Sequence, residues 1–262
     1  MDAVCFGDKG TGVYKTLYIP HLYKDYRKGC TMNDIVDRIL TLAESEIQKS
    51  IADFTEAMKD FSKVKKFLRM RVLNREKNKE MLENIPHQDL LDLARIVQIQ
   101  TMIDGKSCSV KVSRDMISGW GVEEDEVFRI AEENMDETTF EPIGNIIAQL
   151  ISMEEANLPD IDQEELPCSM YVLTNQSGMY GAVNGFNESW LADAAAKLGG
   201  NLFIIPSSIH ECIILRENPG VDAADIREMI YEINRTQVAS EEVLSDNLYV
   251  YDAATKKIEI AA

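Results

Sequence analysis

Two apolar runs separated by a turn constrain the fold of this chain more than any other stretch. Leu202-Phe-Ile-Ile205 and Cys212-Ile-Ile-Leu215 flank the segment Pro206-Ser-Ser-Ile-His-Glu211. Unbroken runs of branched and aromatic side chains bounded by turn residues are typical of strands buried on both faces, and Pro206 presets φ for the first corner of a turn. The pattern predicts a central β-hairpin, Leu202–Ile205 and Ile209–Leu215, in the core of the C-terminal half.

The hydrophobic spacing of the remaining chain alternates between strand and helix periods. Val64–Leu73 predicts a strand with Leu68, Met70 and Val72 on one face. A capping box at Thr31–Asp34 is predicted to open a helix, and two further helices are predicted over Glu188–Leu198 and Ala223–Asn234. Hairpins are predicted across Asp104-Gly105, Asn175–Gly178 and Asp252–Lys257, and Gly181–Phe186 is the predicted second strand of the hairpin across Asn175–Gly178. These elements predict an α+β protein of two β-hairpin-plus-helix units with mixed or antiparallel sheets.

An acidic stretch near the middle of the chain predicts a domain boundary. Met153–Glu165 holds six acidic residues and a proline, and it has almost no apolar periodicity. We therefore expect an N-terminal α+β unit over residues 1–152, an acidic linker over 153–165 and a C-terminal α+β unit over 166–262.

The charge of the protein limits the partners that it can attract. Asp and Glu number 45 against 27 Lys and Arg, which gives a net charge of −18 among 262 residues. Such a surface repels nucleic acid and anionic membranes and favours a protein partner with a basic surface, although it also serves solubility alone. We expect no direct binding of nucleic acid or membrane.

One basic segment interrupts this acidic composition. Lys63–Lys79 contains eight Lys or Arg residues. Its cations either pair with surrounding acidic side chains or form a docking site for an acidic ligand, and both interpretations remain open at this stage.

Cysteine usage indicates the compartment. The five cysteines are scattered, odd in number and never spaced Cys-x-x-Cys, which favours reduced thiols and disfavours a zinc module. The N-terminal residues show no basic region followed by an apolar one, and no apolar run approaches the roughly 18 residues of a membrane span. We expect a cytoplasmic protein.

The candidate chemistry clusters on the central hairpin and on one helix end. Ser208, His210 and Glu211, together with Arg235, are the residues that a hydrolase or nucleotide-processing enzyme would use. No Gly-x-Ser-x-Gly elbow accompanies Ser208. The alternative interpretation makes Ser207 and Ser208 turn residues, and it places the His210 ring on the core face with Cys212 and Ile214.

Metal and cofactor motifs are absent from the sequence. No two of the three histidines lie three or four positions apart, and no Gly-rich phosphate loop precedes a Lys-Ser or Lys-Thr pair. We therefore expect no metal and no cofactor.

Five blocks of the chain have a specific combination of residues: Pro206–Glu211, Asn234-Arg-Thr-Gln-Val238, Glu241-Glu-Val-Leu-Ser-Asp-Asn-Leu-Tyr249, Asn78–Pro86 and Met170-Tyr-Val-Leu-Thr-Asn175. Together these blocks resemble an uncharacterised bacterial family of unknown function. The resemblance covers roughly residues 13–252. It implies a cytoplasmic protein of the kind found in gut anaerobes and their mobile elements, and it implies no chemistry.

Two functional hypotheses follow from the sequence. In the first, the protein is a non-enzymatic accessory factor, borne by a mobile element, whose acidic surface competes for basic or nucleic-acid-binding partners. In the second, it is a hydrolase or nucleotide-processing enzyme centred on Ser208, His210 and Arg235. An enzyme requires these groups to converge on one pocket, whereas a binding protein does not.

The predicted linker is testable by limited proteolysis. A Glu-specific protease should cut within 153–165 first and leave two protected fragments, because exposed acidic segments with few apolar residues are preferred cleavage sites. Mass spectrometry of the early fragments identifies the cut. Preferential cleavage inside Cys168–Leu215 contradicts this organisation.

Overall fold

The computed structural model describes residues 3–8, 13–44, 54–103, 106–146, 170–218, 220 and 222–261. The strands are β1 (Ala3–Asp8), β2 (Val13–Tyr18), β3 (Leu68–Asn74), β4 (His87–Leu90), β5 (Leu93–Ile103), β6 (Lys106–Lys111), β7 (Thr138–Pro142), β8 (Met170–Asn175), β9 (Leu202–Pro206), β10 (Cys212–Arg216), β11 (Tyr249–Asp252) and β12 (Lys257–Ile260). The α-helices are α1 (Ile19–Arg27), α2 (Met32–Glu44), α3 (Phe61–Val64), α4 (Lys79–Leu82), α5 (Arg114–Trp120), α6 (Glu124–Glu133), α7 (Glu188–Leu198) and α8 (Ala223–Thr236). Lys65–Phe67 and Gly181–Phe186 form 3₁₀ helices. Within these residues no helix has the length and apolar character needed to cross a membrane.

All the sheets that the structure describes are antiparallel. β3, β5, β4 and β6 form a four-stranded sheet around the long strand β5, and the order β12-β11-β9-β10-β8-β7 forms a six-stranded sheet. β1 and β2 form a separate pair. The predicted α+β class with antiparallel sheets is confirmed.

Local sequence signals place many of the elements. Thr31 and Asp34 form the predicted capping box: the Thr31 backbone N–H donates to Asp34 (2.8 Å), and the Asp34 backbone N–H donates to the Thr31 hydroxyl (3.1 Å). Asn187 caps α7 by accepting from the Trp190 backbone N–H at 3.1 Å. In β3 the side chains of Leu68, Met70 and Val72 are buried, as their alternation predicts.

The central hairpin forms with a later second strand than predicted. β9 pairs with β10 from Cys212↔Pro206 to Arg216↔Leu202, and every residue of β9 is buried. The second strand starts at Cys212 instead of Ile209, so residues 207–211 form the connection between the strands.

The segment Gly181–Phe186 is a 3₁₀ helix and not the predicted strand. This helix packs so closely that a Cβ added at Gly181 would lie 2.6 Å from the backbone nitrogen of Asn175, and one at Gly185 would lie 2.7 Å from the Cys212 sulfur. The two glycines therefore allow the segment to lie against β8 and β10, and tertiary packing overrides the strand-like sequence.

The two sheets share one apolar core. Met70, Val72 and Leu93 of the first sheet pack in the same cluster as residues of the second, including Leu173, Ile204 and Ile214. β7, which precedes the expected boundary, pairs with β8 in the six-stranded sheet. The expected linker 153–165 lies outside the described residues, so the domain boundary stays a prediction, and the two fragments of a cleavage there would share the β7–β8 ladder.

Asp92 joins the two sheets through hydrogen bonds. It lies in the turn between β4 and β5, next to Leu91, whose φ of 58° is unusual for a residue with a side chain. Its carboxylate accepts from the Tyr249 hydroxyl (2.7 Å), the Ser245 hydroxyl (2.7 Å) and the Asn247 amide (3.0 Å). We call Asp92, Ser245, Asn247 and Tyr249 the Asp92 clasp. It fixes segment 244–249 against the first sheet.

Replacing Asp92 by Ala should destabilise the protein by roughly 2–5 kcal/mol, because the hydroxyl groups of Ser245 and Tyr249 are left without their acceptor. Both residues are buried. Urea denaturation measures the loss. Asp89→Ala is the matched control: this side chain on the same hairpin is 62% exposed and pairs with Arg75 at 3.3 Å, so its removal should cost less than about 1 kcal/mol. Equal losses for the two variants would contradict the role of the clasp.

Candidate functional site

His210 lies at the edge of a cleft, and not on the core face where the strand pattern placed it. Because β10 begins only at Cys212, His210 belongs to the 207–211 connection, and its side chain is 27% exposed. The predicted alternation with Cys212 and Ile214 therefore does not extend back to this residue. The histidine is neither fully exposed nor packed in the core.

Contacts with two neighbouring segments and one internal hydrogen bond hold the 207–211 connection. The Thr174 hydroxyl donates to the carbonyl of His210 (2.8 Å), and the Ile209 backbone N–H donates to the carbonyl of Glu242 (2.9 Å). The Ser208 hydroxyl accepts from the His210 backbone N–H at 3.0 Å. The backbone that carries His210 is consequently ordered by β8 and by the segment at Glu242.

Of the four candidate catalytic residues, His210 lines the cleft and Ser208, Glu211 and Arg235 do not. Ser208 uses its hydroxyl within the turn, and the Ser207 hydroxyl donates to Glu211 at 3.4 Å. Arg235 lies at the end of α8, where it packs on the Tyr231 ring and pairs with Asp246 at 3.6 Å. Arg235 does not line the cleft that His210 borders.

The imidazole of His210 is committed to two neighbours. The backbone N–H of Tyr180 donates to Nδ1 at 3.1 Å, and Nε2 lies 3.7 Å from a carboxylate oxygen of Glu242. Because Nδ1 accepts this bond, the neutral ring carries its proton on Nε2. Neither ring nitrogen is hydrogen-bonded to Ser208, whose hydroxyl accepts from the His210 backbone N–H, so the two side chains lack the Ser–His contact of a nucleophilic site.

The cleft beside His210 lies between the four-stranded sheet and the segments at 209–210 and 240–243, and it has a volume of about 700 Å³. Strands β3 and β6 contribute Arg71 and Lys111, and the segment after β3 contributes Lys77. The segment before the Asp92 clasp contributes Glu241 and Glu242, and the remaining lining includes Leu73, Asn74, Asn78, Ser109, Tyr180, Ile209, His210, Ser240 and Val243. The cleft thus joins residues from both halves of the sequence.

Tyr180 connects Arg71 to His210. The Arg71 guanidinium lies 4.2 Å from the centre of the Tyr180 ring, and the His210 ring stacks on Tyr180 with 5.3 Å between centroids. Tyr180 has a φ of 57°, a left-handed conformation that costs free energy in a residue with a side chain. The hydrogen bond and the two ring contacts compensate for this cost and fix the orientation of the three side chains.

The cations of the cleft lack anionic partners in the part of the chain that the structure describes. Burial lowers the pKa of Arg71, with an opposing influence from Tyr180, and burial followed by repulsion from Arg71 lowers the pKa of Lys111. No carboxylate of the described residues forms an ion pair with either group, and the buried Nε of Arg71 has no hydrogen-bond partner. Two neighbouring cations without an anion favour the arrival of an anionic group.

The Cys212 thiol is fully buried and does not line the cleft. Burial raises the pKa of the Cys212 thiol, and Glu211 adds to the effect, so the thiolate form is disfavoured. Within the described ranges no group of three His, Cys, Asp or Glu side chains is placed to hold a metal ion.

The sequence analysis predicted only some of the residues that line this cleft. Arg71 and Lys77 belong to the basic segment Lys63–Lys79, and a docking site for an acidic ligand was one of the two interpretations of that segment. The other interpretation, in which the cations pair with surrounding acidic side chains, applies to Arg69, which pairs with Asp136 at 3.4 Å, and to Arg75, which pairs with Asp89. Lys111 and Tyr180 were missed because neither belongs to a charged run or a motif.

The whole-chain comparison agrees with the local blocks. A family model described as a family of unknown function, DUF5688, matches residues 1–253. The chain belongs to this family. No curated protein and no solved structure matches the chain. The expected resemblance to an uncharacterised family is therefore confirmed.

Two of the blocks that carry the resemblance have structural roles at the clasp. Glu241–Tyr249 supplies both the acidic side of the cleft and three members of the Asp92 clasp. Asn234 is buried, and its amide donates to the carbonyl of Ser245 (3.0 Å) and to Asp246 (2.9 Å). In this chain the clasp and the acidic side of the cleft are thus built from the same segment.

Replacing His210 by Ala should cost about 1–2 kcal/mol of stability, because the Tyr180 N–H loses its acceptor. His210→Asn should cost less than about 1 kcal/mol, since the amide oxygen occupies a position close to that of Nδ1. Thermal and urea unfolding of both variants measure the difference. An Asn variant as unstable as the Ala variant contradicts the proposed hydrogen bond.

Proposed function

We propose that the protein is a non-enzymatic binding protein that holds an anionic group of its ligand in the cleft between Arg71 and Lys111. The proposal rests on one observation: Arg71 and Lys111 are neighbouring cations, and neither has a carboxylate partner within the described residues. An incoming carboxylate or phosphate would relieve their repulsion and satisfy their donors. Arg presents a planar fork of donors that matches either group.

The geometry favours binding over hydrolysis. A hydrolase centred on Ser208, His210 and Arg235 requires a base that contacts the nucleophile. His210 instead uses Nδ1 to accept from Tyr180, and Arg235 is engaged by Tyr231 and Asp246. The histidine acts in this proposal as a support for Tyr180 and, through it, for Arg71.

The partner follows from the charge of the whole chain. A net charge of −18 attracts a protein with a basic surface and opposes nucleic acid. Cys30 and Cys212 carry free thiols among the described residues, which supports a cytoplasmic location. With the family resemblance, the proposal is a cytoplasmic accessory protein of a mobile element that acts through protein contacts.

Inorganic phosphate tests the anion site directly. Phosphate at ten times its Kd should stabilise the protein by about 1.4 kcal/mol, which raises Tm by about 3–5 °C for a chain of this size. Arg71→Gln should abolish the rise, because it removes the fork of donors. Differential scanning calorimetry over a phosphate titration, at constant ionic strength, measures the effect.

Arg69→Gln provides the matched control. Arg69 lies on the same strand, pairs with Asp136 and is not among the residues that line the cleft. This variant should keep the full phosphate response. Equal responses in the wild type and in Arg71→Gln identify a general salt effect, and this result overturns the proposal.

A further inference from the structure

The cleft carries two kinds of charge that do not neutralise each other. Arg71, Lys77 and Lys111 come from the four-stranded sheet and the segment that follows β3, whereas Glu241 and Glu242 come from the segment before the Asp92 clasp. Glu241 accepts from the Ser240 hydroxyl at 3.2 Å, and Glu242 faces His210. Within the described part of the chain, no ion pair joins these cations to these carboxylates.

The fold itself keeps these charges in their places. Segment 240–243 cannot slide toward β3 freely, because the Asn74 amide donates to the carbonyl of Leu244 (3.1 Å) and the Ile209 N–H donates to that of Glu242 (2.9 Å). On the other side, the contact with Tyr180 holds Arg71. A ligand that satisfies both groups must therefore carry an anionic group and a cationic group together.

Long-range charge selects among such ligands. The protein as a whole is strongly acidic, so a polyanion approaches against its field, whereas a molecule with net positive charge approaches with it. A cleft of about 700 Å³ lies within the range of sites that enclose a ligand of a few residues. Carboxylate is the anionic group that a basic polypeptide can offer without losing its net positive charge.

We propose that the cleft binds a basic polypeptide segment that bears one carboxylate, with the carboxylate at Arg71 and Lys111 and a Lys or Arg of the segment at Glu241 and Glu242. This inference rests on the proposed anion-binding function and names its ligand class. The carboxylate comes either from the chain terminus of the partner or from an Asp or Glu side chain. Both sources offer the same chemistry to Arg71.

Four pools of fluorescently labelled six-residue peptides test the inference by fluorescence anisotropy. The first pool has two lysines among randomised neutral residues and a free terminal carboxylate. The second is the same pool with an amidated terminus, and the third is amidated with one internal Glu. The fourth has a free terminus, with glutamine in place of lysine.

The first or the third pool should bind at least tenfold more tightly than the second. Whichever of the two binds identifies the source of the carboxylate. The first or third pool should also bind at least tenfold more tightly than the fourth. Arg71→Gln should remove the preference over the second pool, and the double variant Glu241→Gln, Glu242→Gln should remove the preference over the fourth. Arg69→Gln and Glu232→Gln, which change charges outside the cleft lining, should preserve both preferences.

Two results overturn the inference. If the amidated lysine pool binds as tightly as the carboxylate-bearing pools, the cleft does not read a carboxylate. If the lysine-free pool binds as tightly as the tighter of the first and third pools, the acidic side reads no cation. If inorganic phosphate stabilises the protein through Arg71 but the peptides show neither preference, the anion site stands and the proposed ligand class is rejected. If phosphate has no effect through Arg71 either, both the anion site and the peptide ligand are rejected.

Discussion

One carboxylate, that of Asp92, holds together the parts of this protein that matter for its cleft. It takes three hydrogen bonds from Ser245, Asn247 and Tyr249, which lie more than 150 positions away along the chain. Burial raises the pKa of Tyr249, with a further contribution from Asp92, so its hydroxyl stays a donor. Because hydrogen bonds to a partly buried charged acceptor are among the stronger polar interactions in proteins, these three bonds fix the segment before β11 relative to the first sheet.

The cleft depends on this connection as directly as the core does. Segment 240–243, which supplies its acidic side, runs straight into the clasp, and its last neighbour Leu244 is held by Asn74 of β3. Arg71 lies on the same strand as Asn74. The clasp therefore sets the separation between the basic and acidic sides of the cleft, although none of its members contributes a charge to the lining.

The distribution of charge gives the site its character. In most of the basic segment the cations are paired or exposed, as Arg69 with Asp136 and Arg75 with Asp89 show. Arg71 differs because it lies over the Tyr180 ring, is partly buried and forms no ion pair with a carboxylate of the described chain. A partly buried cation of this kind is costly to maintain, and the strained Tyr180 beside it adds to the cost. Costs of this kind concentrate where a ligand binds.

The sequence by itself determined the features that depend on neighbours along the chain. Alternation set the buried face of β3, and polar residues one turn apart set the caps at Thr31 and Asn187, because these interactions close within a few residues. Tertiary structure alone decided the 3₁₀ helix at Gly181–Phe186, the place of His210 outside β10 and the meeting of Arg71, Lys111 and Tyr180 in one cleft. Each of these depends on contacts between segments that are distant in the sequence, as Tyr180 with His210 and Ile209 with Glu242 show. No local pattern relates such residues.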